Sequence, residues 1–170
     1  KSQCRQNFHQ ESEDGINKQV NMELNAFYCY QALAAYFERD DVALPKLSKF
    51  FRDSAHEEME HAEKFMTYQN MRGGRVVFDV IDKPKKCEFN GGSLEAIEYA
   101  LELEKTVNQS LLDLHKIAER HGDSQMTDWL EGTFLKEQVE AIKMLSDYAT
   151  NLRRNGPNLG EYLFERLSLS

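Results

Sequence analysis

The chain has 170 residues and a mass of 19.8 kDa, a length suited to one domain with a sizeable core that needs no disulfides. Nine Gly and three Pro make up about 7% of it, against a usual level near 12%, which excludes a loop-rich or collagenous chain and predicts long uninterrupted elements. With 21 Lys+Arg against 29 Asp+Glu the net charge is −8, so neither nucleic acid nor an anionic membrane is an expected partner.

Four long segments carry helical spacing and a short one follows. The first spans about 13–39, with Ile16, Val20, Phe27, Ala34 and Phe37 on one seam at steps of three, four or seven. Asp40-Asp41 breaks it, and Pro45 opens a second helix, where its missing N–H costs little. That helix follows Leu47, Phe51, Phe65 and Tyr68 over 45–72 and stops at Gly73-Gly74. The third, 93–121, follows Leu94, Ile97, Leu101, Leu111 and Ala118 to Gly122. The fourth, 124–154, uses Leu130, Phe134, Ala141, Leu145, Tyr148 and Leu152, and Gly156-Pro157 ends it. A short fifth helix covers 159–168, and no internal repeat is present.

Short turns join helix one to two and three to four, so each pair is expected to be antiparallel. Between Gly73 and Gly92 the connection is about twenty residues, with a β-like stretch at 75–78. Twenty extended residues span ~66 Å and a 28-residue helix is ~42 Å long. The connection therefore has the length to cross the bundle and make helices two and three parallel. The expected fold is all-α: one domain over 1–170, a four-helix bundle with one long crossover and a short C-terminal helix.

Cys4, Cys29 and Cys87 are odd in number and share no CxxC spacing, which argues against a disulfide framework or zinc knuckle and for a reducing compartment. No apolar run approaches the ~20 residues of a membrane span. The first residues lack a signal peptide's apolar core, and a cytoplasmic location is the expectation.

The informative residues interrupt the apolar seams. Glu23 and Tyr30 fall on the stripe of Ile16 and Phe27, Glu58 and His61 lie between Phe51 and Phe65, and Glu104 lies between Leu101 and Val107. Glu137 and Gln138 flank the stripe of Phe134. One such Glu is commonly a partly exposed flank; four helices agreeing in depth form a pattern. Buried carboxylates without inward Lys or Arg need a cation, and carboxylate oxygen with imidazole nitrogen suits a hard or borderline dication. Glu58-x-x-His61 is a recurring element of dinuclear carboxylate bundles. The fourth helix carries Glu137-Gln138-Val139-Glu140 in place of a second such pair, so two unequal metal sites are expected. His56 and His61, five apart, diverge by about 140°, which excludes a zinc-protease helix. His9, His115 and His121 are read singly as surface or hydrogen-bonded residues.

The runs Arg39-Asp40-Asp41-Val42-Ala43-Leu44, His56 to Lys64, Leu103 to Leu112 and Glu137-Gln138-Val139 closely resemble animal ferritin of the heavy, catalytic type, over nearly the whole chain. The resemblance implies a hollow shell of 24 subunits, homo-oligomeric or shared with another ferritin chain, that oxidises Fe(II) with dioxygen and stores ferric mineral. It implies two iron ions per subunit, for which other divalent metals can substitute. Glu23, Glu58 and His61 match the family's first iron site and Glu104 the second, with Glu58 bridging, Gln138 nearby, Tyr30 beside the centre and Glu57 adjacent. Glu57, Glu60 and Glu63 match mineral-nucleating positions. Asp128, Glu131 and His115 match the three-fold channel, where Thr127 stands at a position often held by Cys. Two other classes remain open: a di-iron carboxylate oxidase or oxygenase acting on an organic substrate, and a metal-free helical interaction bundle.

Overall fold

A computed structural model describes Lys1–Ser170 and contains helices and no strand. The long elements are α1 (Gln10–Glu38), α2 (Pro45–Met71) and α3 (Gly92–Arg120). The fourth rod is composite: α4 (Ser124–Leu130) runs into a π-helical turn at Glu131–Leu135 and continues as α5 (Lys136–Asn155). The short α6 (Leu159–Ser168) closes the chain. Two expectations are thereby corrected. The fourth helix is interrupted by a wider turn, and the β-like stretch at 75–78 forms no strand because no second strand lies beside it; Val77 and Phe78 are exposed.

Contacts along the rods establish direction. Gln19 on α1 meets Ser110 on α3, while Glu11 meets Arg120, so α3 runs antiparallel to α1 and parallel to α2. The crossover lies along α1, where three asparagines one helical turn apart hold it. Asn17 donates to the Arg75 carbonyl (3.0 Å), Asn21 to Val80 (2.9 Å) and Asn25 to Asp82 (3.2 Å). Side chains four apart share a helix face, so this row supplies partners to loop carbonyls that have no ladder of their own.

The N-termini of α2 and α3, at Leu44 and Gly91, lack a side-chain cap from the capping residue itself. α6 supplies both. The buried Glu165 carboxylate accepts from the backbone N–H groups of Lys46 (3.2 Å) and Leu47 (3.1 Å), and Glu161 accepts from Ser93 (3.1 Å). Negative charge at a helix start is favourable on both hydrogen-bond and dipole grounds. At Gly160 a Cβ would sit 2.2 Å from the Asn155 carbonyl oxygen, so the tight entry into α6 requires glycine.

The apolar core is in two parts. One packs Leu33, Phe37, Leu47, Phe51, Ile97, Leu145, Leu152 and Phe164 at the α6 end. The other packs Ile16, Val20, Phe65, Leu111, Met126, Leu130 and Phe134 at the opposite end. Between them lies a belt of buried polar side chains: Gln19, Glu23, Glu58, His61, Glu104 and Gln138.

Candidate metal centre

Five carboxylates are buried: Glu23, Glu58, Glu104, Asp123 and Glu165. Asp123 pairs with Arg72 at 3.0 Å, and Glu165 caps α2. No buried Lys or Arg accompanies the other three, and an uncompensated buried charge is strongly unfavourable. Their surroundings show what compensates them.

Glu23 of α1 and Glu58 and His61 of α2 each turn one ligand atom to a common point, within 4.8 Å of one another. His61 Nδ1 stands 3.5 Å from Glu58 Oε2 and 3.7 Å from Glu23 Oε2. All three atoms are buried and have no hydrogen-bond partner. Buried polar groups are seldom left so, and three converging on one point match the donor set of a divalent cation.

The other half of the belt is built differently. Glu104 of α3 accepts from the Tyr30 phenol through Oε1 and from the Gln138 amide through Oε2 at 3.0 Å. Both oxygens already have donors. Gln138 reaches inward from α5 although the π turn just before it widens the helix, and Phe134 in that turn stacks on Phe65 and meets the His61 ring edge-on. A π turn adds a residue to the helical register, and Phe134 and Gln138 both remain buried across it.

Ionisation follows from burial and from crowding of like charge. Burial first, then Glu23 and Glu104, push the Glu58 carboxyl well above the usual carboxylate range. Burial also raises Glu23, but Glu58, His61 and the Gln19 amide outweigh it and hold this carboxyl low. Burial lowers the His61 imidazole, while the Glu23 and Glu137 carboxylates more than reverse that and raise it. Tyr30 is driven far up by burial and by Glu104 and Glu58, so it remains a donor. Proton binding in the belt is therefore strengthened most at Glu58.

Of the residues singled out by sequence, Glu23, Tyr30, Glu58, His61, Glu104 and Gln138 meet in this belt. Glu57 lies outside it on the exposed side of α2, its carboxyl raised by partial burial and then by nearby Glu137, Glu104 and Glu60. Glu60 and Glu63 share an exposed hollow with Trp129 and Thr133. Asp128 and Glu131 are exposed, and half-buried His115 bonds Glu131 through Nε2 at 2.9 Å. Two participants, Gln19 and Ser110, are not marked by the sequence pattern, and a third, Glu137, is marked there only as a flank of the Phe134 stripe. Gln19 donates to Glu23 Oε1 at 3.0 Å and is itself held by the Ser110 hydroxyl at 2.6 Å. Glu137, 60% exposed at the rim, stands 3.5 Å from His61 Nε2, on the side that leaves Nδ1 facing inward. The signal for Gln19 was its place one turn before Glu23 on the same face.

A family model described as a ferritin-like domain matches residues 13–155. The chain is 62% identical over 169 residues to soma ferritin of Lymnaea stagnalis, covering 99% of this chain and 97% of that protein. It is 54% identical to a ferritin heavy chain of Echinococcus granulosus (99% and 96%) and 52% identical to a ferritin light chain, oocyte isoform, of Xenopus laevis (99% and 96%). Relatives called heavy and light thus stand at nearly equal distance, and the site residues have to decide between the two types.

Proposed function

The chain belongs to the ferritin family, and on that premise we propose that it is an iron-storage subunit of the catalytic type, which oxidises Fe(II) with dioxygen before ferric mineral is laid down. The observation that carries this reading is the convergence of Glu23 Oε2, Glu58 Oε2 and His61 Nδ1, buried and unpartnered. Fe(II) is the substrate. Two Fe(II) ions lose one electron each, and dioxygen takes both electrons with two protons to become hydrogen peroxide.

The protein's part is to bind, orient and release. Glu23 and His61 hold the first ion. Glu58, which feels both Glu23 and Glu104, is the shared carboxylate, and Glu104 with Gln138 holds the second ion more loosely. Hard carboxylate ligands favour Fe(III) over Fe(II), which makes oxidation favourable, and the weaker half lets the product leave. Gln19 fixes one oxygen of Glu23 so that the other stays free for iron, and Glu137 sets the His61 ring.

The remaining acidic residues complete the reading. Asp128, Glu131 and His115 line the entry channel, where a narrow acidic pore concentrates Fe(II), and Glu57, Glu60 and Glu63 face growing mineral. The subunit acts within a shell of 24, alone or with another ferritin chain, in the cytoplasm. No helix of the structure is long and apolar enough to cross a membrane.

The test is aerobic Fe(II) addition to wild type and Glu58→Ala, following ferric absorbance. The variant is expected to lose most of its initial rate; equal rates would remove the role given to Glu58. Light scattering tests the shell, whose expected mass is 24 × 19.8 kDa, about 475 kDa. A monomer or dimer that keeps its iron would favour an oxidase acting on an organic substrate.

A further inference from the structure

The asparagine row that holds the crossover continues one turn further, and the next residue in it is a cysteine. Asn17, Asn21, Asn25 and Cys29 follow one another at steps of four, on one face of α1. The first three meet crossover carbonyls in rising order, at Arg75, Val80 and Asp82. Two turns beyond Cys29, the Tyr36 hydroxyl donates to the Phe89 carbonyl at 2.9 Å, and Arg39 pairs with Glu88 at 2.7 Å. Cys29 therefore lies between the anchors at Asp82 and Phe89, opposite the stretch that carries Cys87.

Other contacts close the same neighbourhood. The Cys29 thiol leans back along the row toward Asn25 Oδ1, at 3.9 Å. Tyr99 of α3 sets its ring edge-on to Phe89, with centroids 5.4 Å apart. Burial pushes the Cys29 thiol up against the Tyr99 phenol, and Cys87 adds to the rise. Burial, then Cys29 and Cys87, push the Tyr99 phenol up in turn. All three cysteines are free thiols, Cys29 buried and Cys87 exposed. Cys4 is at the other end of α1, its thiol 3.6 Å from the Met71 carbonyl.

We propose that Cys29 and Cys87 are a peroxide-reducing dithiol, which closes into a disulfide between α1 and the crossover. The exposed sulfur is the one that peroxide meets, and the buried one resolves it. The Cys87 thiolate attacks one oxygen of hydrogen peroxide and the O–O bond breaks. Cys87 becomes a sulfenic acid, and the departing hydroxide takes a proton to become water. The Cys29 sulfur then attacks the Cys87 sulfur. An S–S bond forms, the S–O bond breaks, and hydroxide leaves as water with the Cys29 proton. Two thiols lose two electrons and two protons, and one peroxide becomes two waters.

The crossover permits the closure. Between its anchors at Asp82 and Phe89 it makes no backbone hydrogen bonds, so Cys87 is free to settle at the ~6 Å Cα separation that a disulfide takes. The bridge would then fasten a connection otherwise held to α1 by side chains. Reduced thiols at rest and a bridge formed only by an oxidant suit a reducing compartment. The source of peroxide rests on the ferroxidase reading above, whose two-electron reduction of dioxygen yields it; the dithiol itself does not.

The test is addition of one equivalent of hydrogen peroxide per subunit to the iron-free assembled protein, followed by thiol counting in denaturant and non-reducing peptide mapping. Three thiols are expected to fall to one, Cys4, with the Cys29 and Cys87 peptides joined within one subunit. Cys29→Ser is expected to stop at a Cys87 sulfenic acid that dimedone traps, and Cys87→Ser to keep both its thiols. Three surviving thiols, or a bridge between Cys87 residues of two subunits, overturns the dithiol. A second arm replaces peroxide by Fe(II) and air, with ferric absorbance reporting whether iron was oxidised. The same bridge in that arm supports the coupling to iron. A bridge with added peroxide and none after iron oxidation supports the dithiol and overturns the coupling. Absent ferric absorbance instead overturns the ferroxidase reading, so the two fail separately.

Discussion

The two halves of the polar belt use similar residues and leave them in different states. On the α1–α2 side, Glu23, Glu58 and His61 end in three buried atoms with nothing to bond. On the α3–α5 side, both Glu104 oxygens have donors, one from Tyr30 and one from Gln138. The first half is incomplete without a cation. The second is already satisfied, so an ion entering it must displace or share hydrogen bonds worth about 1 kcal/mol each or more. Metal affinity in this belt is governed less by how many carboxylates face inward than by what else those carboxylates already touch.

The largest expected effect tests that asymmetry directly. His61→Ala should lower the initial rate of Fe(II) oxidation by more than about 100-fold, since even residues that only support metal ligands cost 10–100-fold when removed. Glu104→Ala should cost roughly tenfold less than that. Stopped-flow ferric absorbance on both variants decides it, and equal losses would mean that the halves are equivalent once iron is present.

Next in size is the dependence on pH. Glu58 is raised by burial and by its carboxylate neighbours, and His61 is raised by Glu23 and Glu137 against its burial. Both bind protons more tightly in the fold than free in water, and a metal ion must expel those protons. Affinity of the first half for Zn²⁺ should therefore fall as pH falls, by about tenfold per unit for each proton expelled. Glu23, held low by Glu58, His61 and Gln19 despite burial, contributes nothing to this slope above its own range. Calorimetry in buffers of different ionisation enthalpy counts the protons. Proton-neutral binding at neutral pH would show that Glu58 and His61 are already bare.

Gln19 offers a milder test on the same side. Its amide ties Glu23 Oε1, and Ser110 ties the amide. Gln19→Leu should weaken Zn²⁺ binding in the first half by about tenfold, and Ser110→Ala by less, with little change in the second half. Equal weakening of both halves would point to a general loosening of the bundle.

What could be read from the sequence follows the range of each interaction. The 3.6-residue period places Glu23, Glu58, His61 and Glu104 on inward seams because a helix turns its own residues predictably, and those four are buried as expected. The crossover direction was legible from its length alone. The row of Asn17, Asn21 and Asn25 repeats every four residues, yet its partners are loop carbonyls some 57–59 positions away, and no local pattern names them. Glu165 capping α2 from 118–119 residues along the chain is invisible for the same reason. The π turn at Glu131–Leu135 escaped because Phe134 and Leu130 fit an ordinary helical seam. The ring stack on Phe65 and the edge contact with His61 are tertiary contacts that the seam does not report.

Tyr30 gives the smallest effect and the most discriminating one, because its sign is in question. The phenol is held protonated by burial and by Glu104 and Glu58, so its only service to Glu104 is to donate to Oε1. If Glu104 is weak because its oxygens are occupied, Tyr30→Phe frees one of them. Second-half affinity for Zn²⁺ should then rise about fivefold, the equivalent of one hydrogen bond near 1 kcal/mol, while the first half stays as it was. If the phenol instead aims Glu104 at the metal, the same substitution must weaken the second half. A two-site zinc titration reads the sign directly, and a fall would replace occupancy with aim as the reason the two halves differ.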